Sequence, residues 1–238
     1  MKKKGQLTLI PTPISETGVL ESVAFNILLK ASTEKKSESI FVIEDLKPGR
    51  KRWLQFNLPR EIVTEFILYN EHTAIETSKM LLKSLQEGFD VYLMSDGGLP
   101  AFYDPGVELV ALCHENQIKV TSTPFCNSVV LALALSGFNH KQFWFEGFLP
   151  LDSEFRYETL KKLLMDKNNS IVMDTPYRMK RVLEEIIEVQ KIHKLKSRKL
   201  FLAMDLNTEQ ELLLKGNAEF LLSKISDFKR EFILIIGT

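Results

Sequence analysis

Short apolar runs bounded by turn residues recur along the chain, separated by longer segments whose apolar positions return every three or four residues. Runs of four to six residues rich in β-branched and aromatic side chains predict buried strands. They fall at Leu7–Ile10, Ile40–Ile43, Phe66–Tyr69, Val91–Met94, Ile118–Ser122, Phe143–Phe148, Ser170–Asp174, Leu200–Met204 and Phe232–Ile236. Helical spacing predicts helices over about 20–30, from beyond His72 to Glu87 with Gly88 closing it, and near 154–165. Further helices are predicted to open at Asp104-Pro105, at Asn127 or Ser128, and at Thr175-Pro176, in each case a capping side chain or a proline suited to the first turn. Met179, Val182, Leu183 and Ile186 form the buried stripe of the last of these. Thr33–Glu38 reads as a connection and Lys47–Trp53 as a basic loop. Strands alternating with helices define the α/β class. A chain of 238 residues suits two such domains, and Pro124 is the predicted boundary, giving 1–123 and 124–238.

Composition removes several function classes. Lys+Arg and Asp+Glu both number 31, so bulk charge does not drive nucleic-acid binding, and only a local patch would. No run of 18 apolar residues predicts a membrane span, and the apolar run after the basic start is stopped by Pro11 and Pro13, too short for a signal peptide. Cys113 and Cys126 read as reduced core residues of a cytoplasmic protein. The four histidines are scattered without metal spacing, and there is no Gly-x-Gly-x-x-Gly, no P-loop and no Gly-x-Ser-x-Gly. Neither a metal nor an activated serine is expected.

Candidate chemistry lies where predicted strands end. Val91–Met94 runs into Ser95-Asp96-Gly97-Gly98-Leu99-Pro100, a loop in which paired glycines let a ligand approach the backbone. Glu44-Asp45 follows another strand, as an acidic ligand contact or as a turn cap. The next segment carries Lys47, Arg50, Lys51 and Arg52 with Trp53, a mixture that holds phosphates and stacks bases or that is simply a solvated loop. Arg178 sits in a first helical turn, where the dipole gives it nothing, so a ligand or a carboxylate is its expected partner.

These pieces occur in a telling order. Pro11-Thr12-Pro13-Ile14 follows the first strand, Glu44-Asp45 the second, and then come Ser95–Pro100 and Asp104-Pro105-Gly106. A proline-started loop, Pro124–Ser128, leads into an Ala/Leu helix ending Ser136-Gly137. After it come Phe143-x-Phe145-x-Gly147-Phe148-Leu149-Pro150 and Asp174-Thr175-Pro176-Tyr177-Arg178. In this order the chain resembles, from about Leu7 to Ile236, the tetrapyrrole methylase superfamily of S-adenosylmethionine-dependent methyltransferases. It is most similar to the branch that methylates a cytidine ribose 2′-hydroxyl of small-subunit ribosomal RNA.

The resemblance implies two α/β domains with the donor-binding cleft between them, a homodimer, and no metal. It implies donor contacts from Pro11, Ser95, Asp96, Gly97, Gly98, Leu99, Pro100, Ser128, Met173 and Met204. Catalytic acids are expected at Glu44 and Asp45, with Glu146 and Asp174 as further candidates, and RNA contacts at Lys47, Arg50, Arg52, Trp53 and Arg178. The branch usually has Pro-Ile-Gly-Asn where this chain has Pro13-Ile14-Ser15-Glu16, and Glu-Asp-Thr-Arg where it has Glu44-Asp45-Leu46-Lys47. It has Ser-Asp-Ala-Gly-Thr-Pro where this chain has Gly97 and Leu99, and Pro-Gly-Pro-Ser-Ala where it has Pro124-Phe125-Cys126-Asn127-Ser128. Glu-Ser-Pro-His-Arg becomes Asp174-Thr175-Pro176-Tyr177-Arg178, and Glu-Leu-Thr-Lys becomes Asp205-Leu206-Asn207-Thr208. The donor loops keep their shape and the substrate-facing residues differ more. Tetrapyrrole methylation and donor binding without catalysis therefore stand as alternatives to RNA methylation.

Overall fold

The computed structural model describes residues 3–15 and 17–237. The chain divides into two compact units, Met1–Phe125 and Cys126–Thr238. In the first, five parallel strands form one sheet in the order β3-β2-β4-β1-β5. These are β1 (Gln6–Ile10), β2 (Ser39–Ile43), β3 (Ile67–Leu68), β4 (Asp90–Met94) and β5 (Lys119–Ser122). Helices α1 (Ser22–Thr33) and α2 (Leu46–Gln55) cover one face, packing on Ile10, Phe41, Ile43, Tyr92 and Met94. Helices α3 (Ala74–Glu87) and α4 (Val107–Glu115) cover the other, on Leu7, Val42, Val91 and Leu93. Both faces are buried, which is why the central strands read as unbroken apolar runs rather than as alternation.

The order of strands has a consequence for ligands. The helix after β1 lies on one face and the helix after β4 on the other, and β1 and β4 are neighbours. The chain thus leaves their carboxyl ends in opposite directions, which opens a crevice at a topological switch point.

The second unit holds a mixed sheet, β6-β7-β10-β8-β9. Its strands are β6 (Phe143–Phe148), β7 (Asn169–Asp174), β8 (Leu200–Met204), β9 (Leu212–Gly216) and β10 (Phe232–Ile236). Helix α5 (Ser128–Ser136) packs on one face, on Ile171, Phe201, Ala203, Ile233 and Ile235. Helices α6 (Ser153–Met165), α7 (Met179–Ile192) and α8 (Ala218–Lys224) pack on the other. Asn127 caps α5 by accepting from Val129 and Val130 N–H, and Gly137 ends it in the left-handed region.

Several local expectations need correction. Lys47–Trp53 is not a loop but the body of α2, capped by Asp45, which accepts from Lys47 N–H. Pro48 and Gly49 look like helix breakers, yet a proline in the first turn displaces no intrahelical bond. Gly49 is required there because a Cβ would meet the Ile43 side chain at 2.7 Å. Asp104-Pro105 does not open a helix either; α4 begins at Val107, with Gly106 at φ 142 before it. Thr175 makes no side-chain cap, since Pro176–Arg178 is a 3-10 turn leading into α7. Cys113 is buried as expected, whereas Cys126 is exposed. β9 and α8 were not anticipated from the sequence pattern.

Candidate active site

The crevice beyond β1 and β4 is built by two loops that hold each other. Thr12 and Gly98 exchange backbone hydrogen bonds, each N–H donating to the other's carbonyl at 2.9 Å. The Thr12 hydroxyl donates to Ser95 O at 3.0 Å, and the Ser95 hydroxyl donates to Gly98 O at 2.8 Å. Pro11, Thr12, Ser95 and Pro100 are buried, so the loop is a fixed platform. Gly98 has φ 115, a conformation that a side chain resists. Gly97 is less constrained: a Cβ there would touch only Ile14 and Pro13 backbone at 3.6 Å.

A cluster of carboxylates faces this platform. Asp104 Oδ2 lies 3.8 Å from where a Gly98 Cβ would stand. Burial, then the charges of Glu44 and Asp96, push the Asp104 carboxyl up to about 7. Burial, then Glu44 and Asp45, push Asp96 up to about 6, and its buried Oδ1 has no hydrogen-bond partner. Asp96 and Asp104, half-buried beyond β4, thus feel the charge of Glu44 at the end of β2, and Asp96 that of Asp45 as well; a cationic ligand group or a proton would relieve the repulsion. Asp104 is the residue that sequence reasoning missed. Its place next to Pro105 suggested a helix cap, and the signal that could have found it was the second acid ten residues past the strand.

The structure therefore brings together Pro11, Ser95, Asp96, Gly97, Gly98, Leu99, Pro100, Glu44 and Asp45, all in the first unit. Asp45 is also the cap of α2. Among the described residues, no group of three or more His, Cys, Asp or Glu could hold a metal ion.

The expected RNA contacts fare differently. Trp53 is fully buried, edge-on to Phe41 and Phe66, and its Nε1–H donates to Pro59 O at 2.8 Å. It is a core residue and stacks on no base. Arg52 is 7% exposed and donates to Ser15 O and Ile14 O, so it holds the 13–15 loop rather than a phosphate. Lys47 and Arg50 stay exposed on α2.

In the second unit, Arg178 has the carboxylate partner foreseen for it. It pairs with Asp174 at 2.5 Å and donates to Leu149 O and Pro150 O. Arg156, fully buried, pairs with Glu185 at 2.7 Å and donates to Pro150 O and Leu151 O. Two arginines thus fix the loop after β6, and Arg178 is structural. Met204 is wholly buried under α7 and α8, so its side chain meets no ligand; Met173, on the α5 face, is partly exposed. Ser128 is the first residue of α5 and half-buried. Exposed aromatics beside the clamped loop include Phe148, Phe155, 71% exposed, and Tyr177, 81% exposed, the last with Lys229 Nζ 6.0 Å above its ring.

A switch-point crevice lined by a glycine platform and desolvated acids, on a parallel sheet, defines an α/β enzyme that handles a small ligand at its strand ends. The chain belongs to the tetrapyrrole (corrin/porphyrin) methylases, whose family profile matches residues 29–221, and it is accordingly a methyltransferase. It is 32% identical over 235 residues to the ribosomal RNA small subunit methyltransferase I of Halalkalibacterium halodurans, covering 98% of this chain and 76% of that one. The protein of the same name from Thermotoga maritima is 30% identical over 223 residues, with 94% and 90% covered. That from Vibrio cholerae is 30% identical over 183 residues, with 77% and 60% covered. Among solved structures, a diphthine synthase matches with a TM-score of 0.69 at 11% identity, covering 98% of this chain and 90% of that one. The uroporphyrin-III C-methyl transferase of Thermus thermophilus, complexed with S-adenyl homocysteine, matches with a TM-score of 0.56 at 17% identity, covering 98% and 97%. These structures share the fold.

Proposed function

We propose that this protein is an S-adenosylmethionine-dependent methyltransferase that methylates a ribose 2′-hydroxyl of small-subunit ribosomal RNA. The observation that carries the substrate is the identity of about 30% over most of the chain to relatives named for small-subunit rRNA. The donor fits the residues present: a glycine platform admits a ligand to the backbone, and a group of acids favours a cation. When bound, S-adenosylmethionine supplies a methyl group already activated by its sulfonium. The protein's task is then to bind, orient and exclude water. The ribose hydroxyl is a weak nucleophile, and a carboxylate that takes its proton as the new O–C bond forms speeds attack. Asp104, held near 7, suits that role better than Glu44 or Asp45, the acids expected from the sequence. Ser128 and Met173 remain donor-contact candidates on the resemblance. Base stacking falls to Phe155 and Tyr177 rather than to Trp53, because both are exposed aromatics and Tyr177 has Lys229 above its ring.

The test uses donor labelled on the methyl group and ribosomal subunits from cells that lack this protein. Label in small-subunit rRNA, recovered as a 2′-O-methyl nucleoside, is the expected result. Label only in a tetrapyrrole would move the chain to that branch, and no transfer to either would leave donor binding without catalysis. The reading includes a homodimer in the cytoplasm, the dimer resting on resemblance. Light scattering that returns the 27.4 kDa monomer mass at all concentrations would remove the dimer.

A further inference from the structure

A second concavity lies in the first unit, on the face of the sheet covered by α1, away from the acid-lined crevice. It holds about 310 Å³. Its floor is the outer part of the sheet: Gln6 and Thr8 on β1, Tyr92 on β4, and Thr121 with the residues that follow on β5. Its wall is the side of α1 that carries Val23, Ile27, Lys30 and Ala31, with Lys35 beyond the helix end.

The floor is chemically unusual. A sheet face beneath a helix is normally apolar, and the inner strands obey this with Phe41 and Ile43. Towards β5 the same face turns to hydroxyls and an amide. Thr8 is 3% exposed and its hydroxyl takes a hydrogen bond from Gln6 Nε2 at 3.1 Å. Thr123 is 5% exposed, lines the cavity, and its Oγ1 has no hydrogen-bond partner. A buried hydroxyl without a partner is costly, and an oxygen-bearing ligand towards which the Thr123 hydroxyl turns would offset that cost.

Charge selects the ligand. Lys30 and Lys35, both exposed, stand at the edge of this space, and no carboxylate of the described residues forms an ion pair with either. The carboxyl-terminal dipole of α1 favours a cation at Lys30, but it accounts for neither Lys35 nor the hydroxyl-bearing floor. Hydroxyl donors below and two ammonium groups at one side match the oxygens of a phosphate, while Val23, Ile27 and Ala31 offer apolar wall to a sugar or base attached to it.

We propose that the groove between α1 and β5 is a phosphate-binding site, occupied by a backbone phosphate of an RNA or by the phosphate of a free nucleotide. The RNA source rests on the function proposed above, and the site itself does not. The double variant Lys30→Ala/Lys35→Ala serves as the probe, with Thr123→Val as a second variant that leaves the charges in place. Neither touches the donor platform. Inorganic pyrophosphate and 5′-AMP are titrated into full-length protein by NMR, and binding of a single-stranded rRNA fragment is followed against salt. We expect the wild type to bind pyrophosphate, the double variant to bind it at least about tenfold more weakly, and Thr123→Val to bind it less tightly with both lysines present. If the RNA salt slope also falls by about 1–2, the phosphate belongs to RNA. If 5′-AMP and pyrophosphate binding is lost while the RNA slope is unchanged, the site serves a free nucleotide. If the wild type binds neither small anion and the double variant keeps the RNA slope, the proposal is overturned. A failure to methylate rRNA, with pyrophosphate still bound, would remove the proposed function and leave this site standing.

Discussion

Gly97 and Gly98 are adjacent in the sequence and differ in what they tolerate. At Gly98, φ 115 strains any side chain, and a branched one would also stand between the platform and its ligand. Gly98→Val is expected to weaken S-adenosylmethionine binding at least about tenfold, with a smaller loss of stability of the order of 1–3 kcal/mol. Gly97→Ala, meeting only ordinary contacts at 3.6 Å, is expected to bind the donor like wild type. Isothermal calorimetry on both variants separates the positions, and wild-type affinity in Gly98→Val would take the loop out of the site. Asp104 allows a test by pH. Its carboxyl is raised to about 7 from an ordinary 3.8, so the folded protein holds a proton that the unfolded chain releases at lower pH. The stability linked to that proton is complete below about pH 4 and is lost as pH rises through 7. Asp104→Asn, neutral throughout, should therefore melt a few degrees higher than wild type at pH 8 and show no such gain at pH 4. The same variant should lower kcat by roughly 10²–10⁴ if Asp104 takes the ribose proton. Equal melting differences at both pH values would show that Asp104 is not held protonated.

Helix α2 shows what the sequence could and could not reveal at the scale of elements. The central strands were legible because burial on both faces writes them as unbroken apolar runs, and α7 because Met179, Val182, Leu183 and Ile186 repeat at helical spacing. The loop after β4 was legible as a break because a glycine pair follows such a run, a pattern that serves an ordinary strand-to-helix turn as well as a ligand loop. α2 was hidden because Pro48-Gly49 lies in its first turn, four of its residues are cationic, and only Gly49, Arg52 and Trp53 are buried. β9 was hidden because its alternation is weak at an edge. The acid cluster depends on which strand ends adjoin, which only the order β3-β2-β4-β1-β5 settles. Trp53 measures how far α2 belongs to the core. Its indole is fully buried between Phe41 and Phe66 with its N–H bonded to Pro59 O. Trp53→Ala is expected to cost about 3–5 kcal/mol, and Trp53→Phe, which strands the Pro59 carbonyl, about 1–3 kcal/mol. Urea denaturation checks both. A loss in Trp53→Ala below 1 kcal/mol would return the residue to the surface role the sequence suggested.

Over the whole molecule the charges cancel, 31 against 31, so any grip on RNA comes from where the cations stand rather than from how many there are. The segment first read as a four-cation loop is now divided by its helical geometry. Arg52 turns inward to the carbonyls of Ile14 and Ser15, while Lys47, Arg50 and Lys51 lie on the exposed side of α2. That helix starts at Leu46 and is capped by Asp45, directly after Glu44, so its first turn lies beside the acids of the crevice. A phosphate held along α2 would bring a ribose towards those acids, and it would offset their repulsion of the RNA backbone. The triple variant Lys47→Ala/Arg50→Ala/Lys51→Ala is therefore expected to weaken RNA binding at low salt and to lower the salt slope by about 1–3, roughly one unit for each phosphate contact removed. Donor affinity should stay at the wild-type value, because the three are exposed on α2 while the platform is built by the loops after β1 and β4. Arg52→Ala should behave in the opposite way, loosening the fold through the 13–15 loop while leaving the salt slope intact. Filter binding across a salt series, paired with thermal melts, reads both effects. If the triple variant keeps the wild-type slope, α2 is only a solvated helix and the RNA is held elsewhere on the surface.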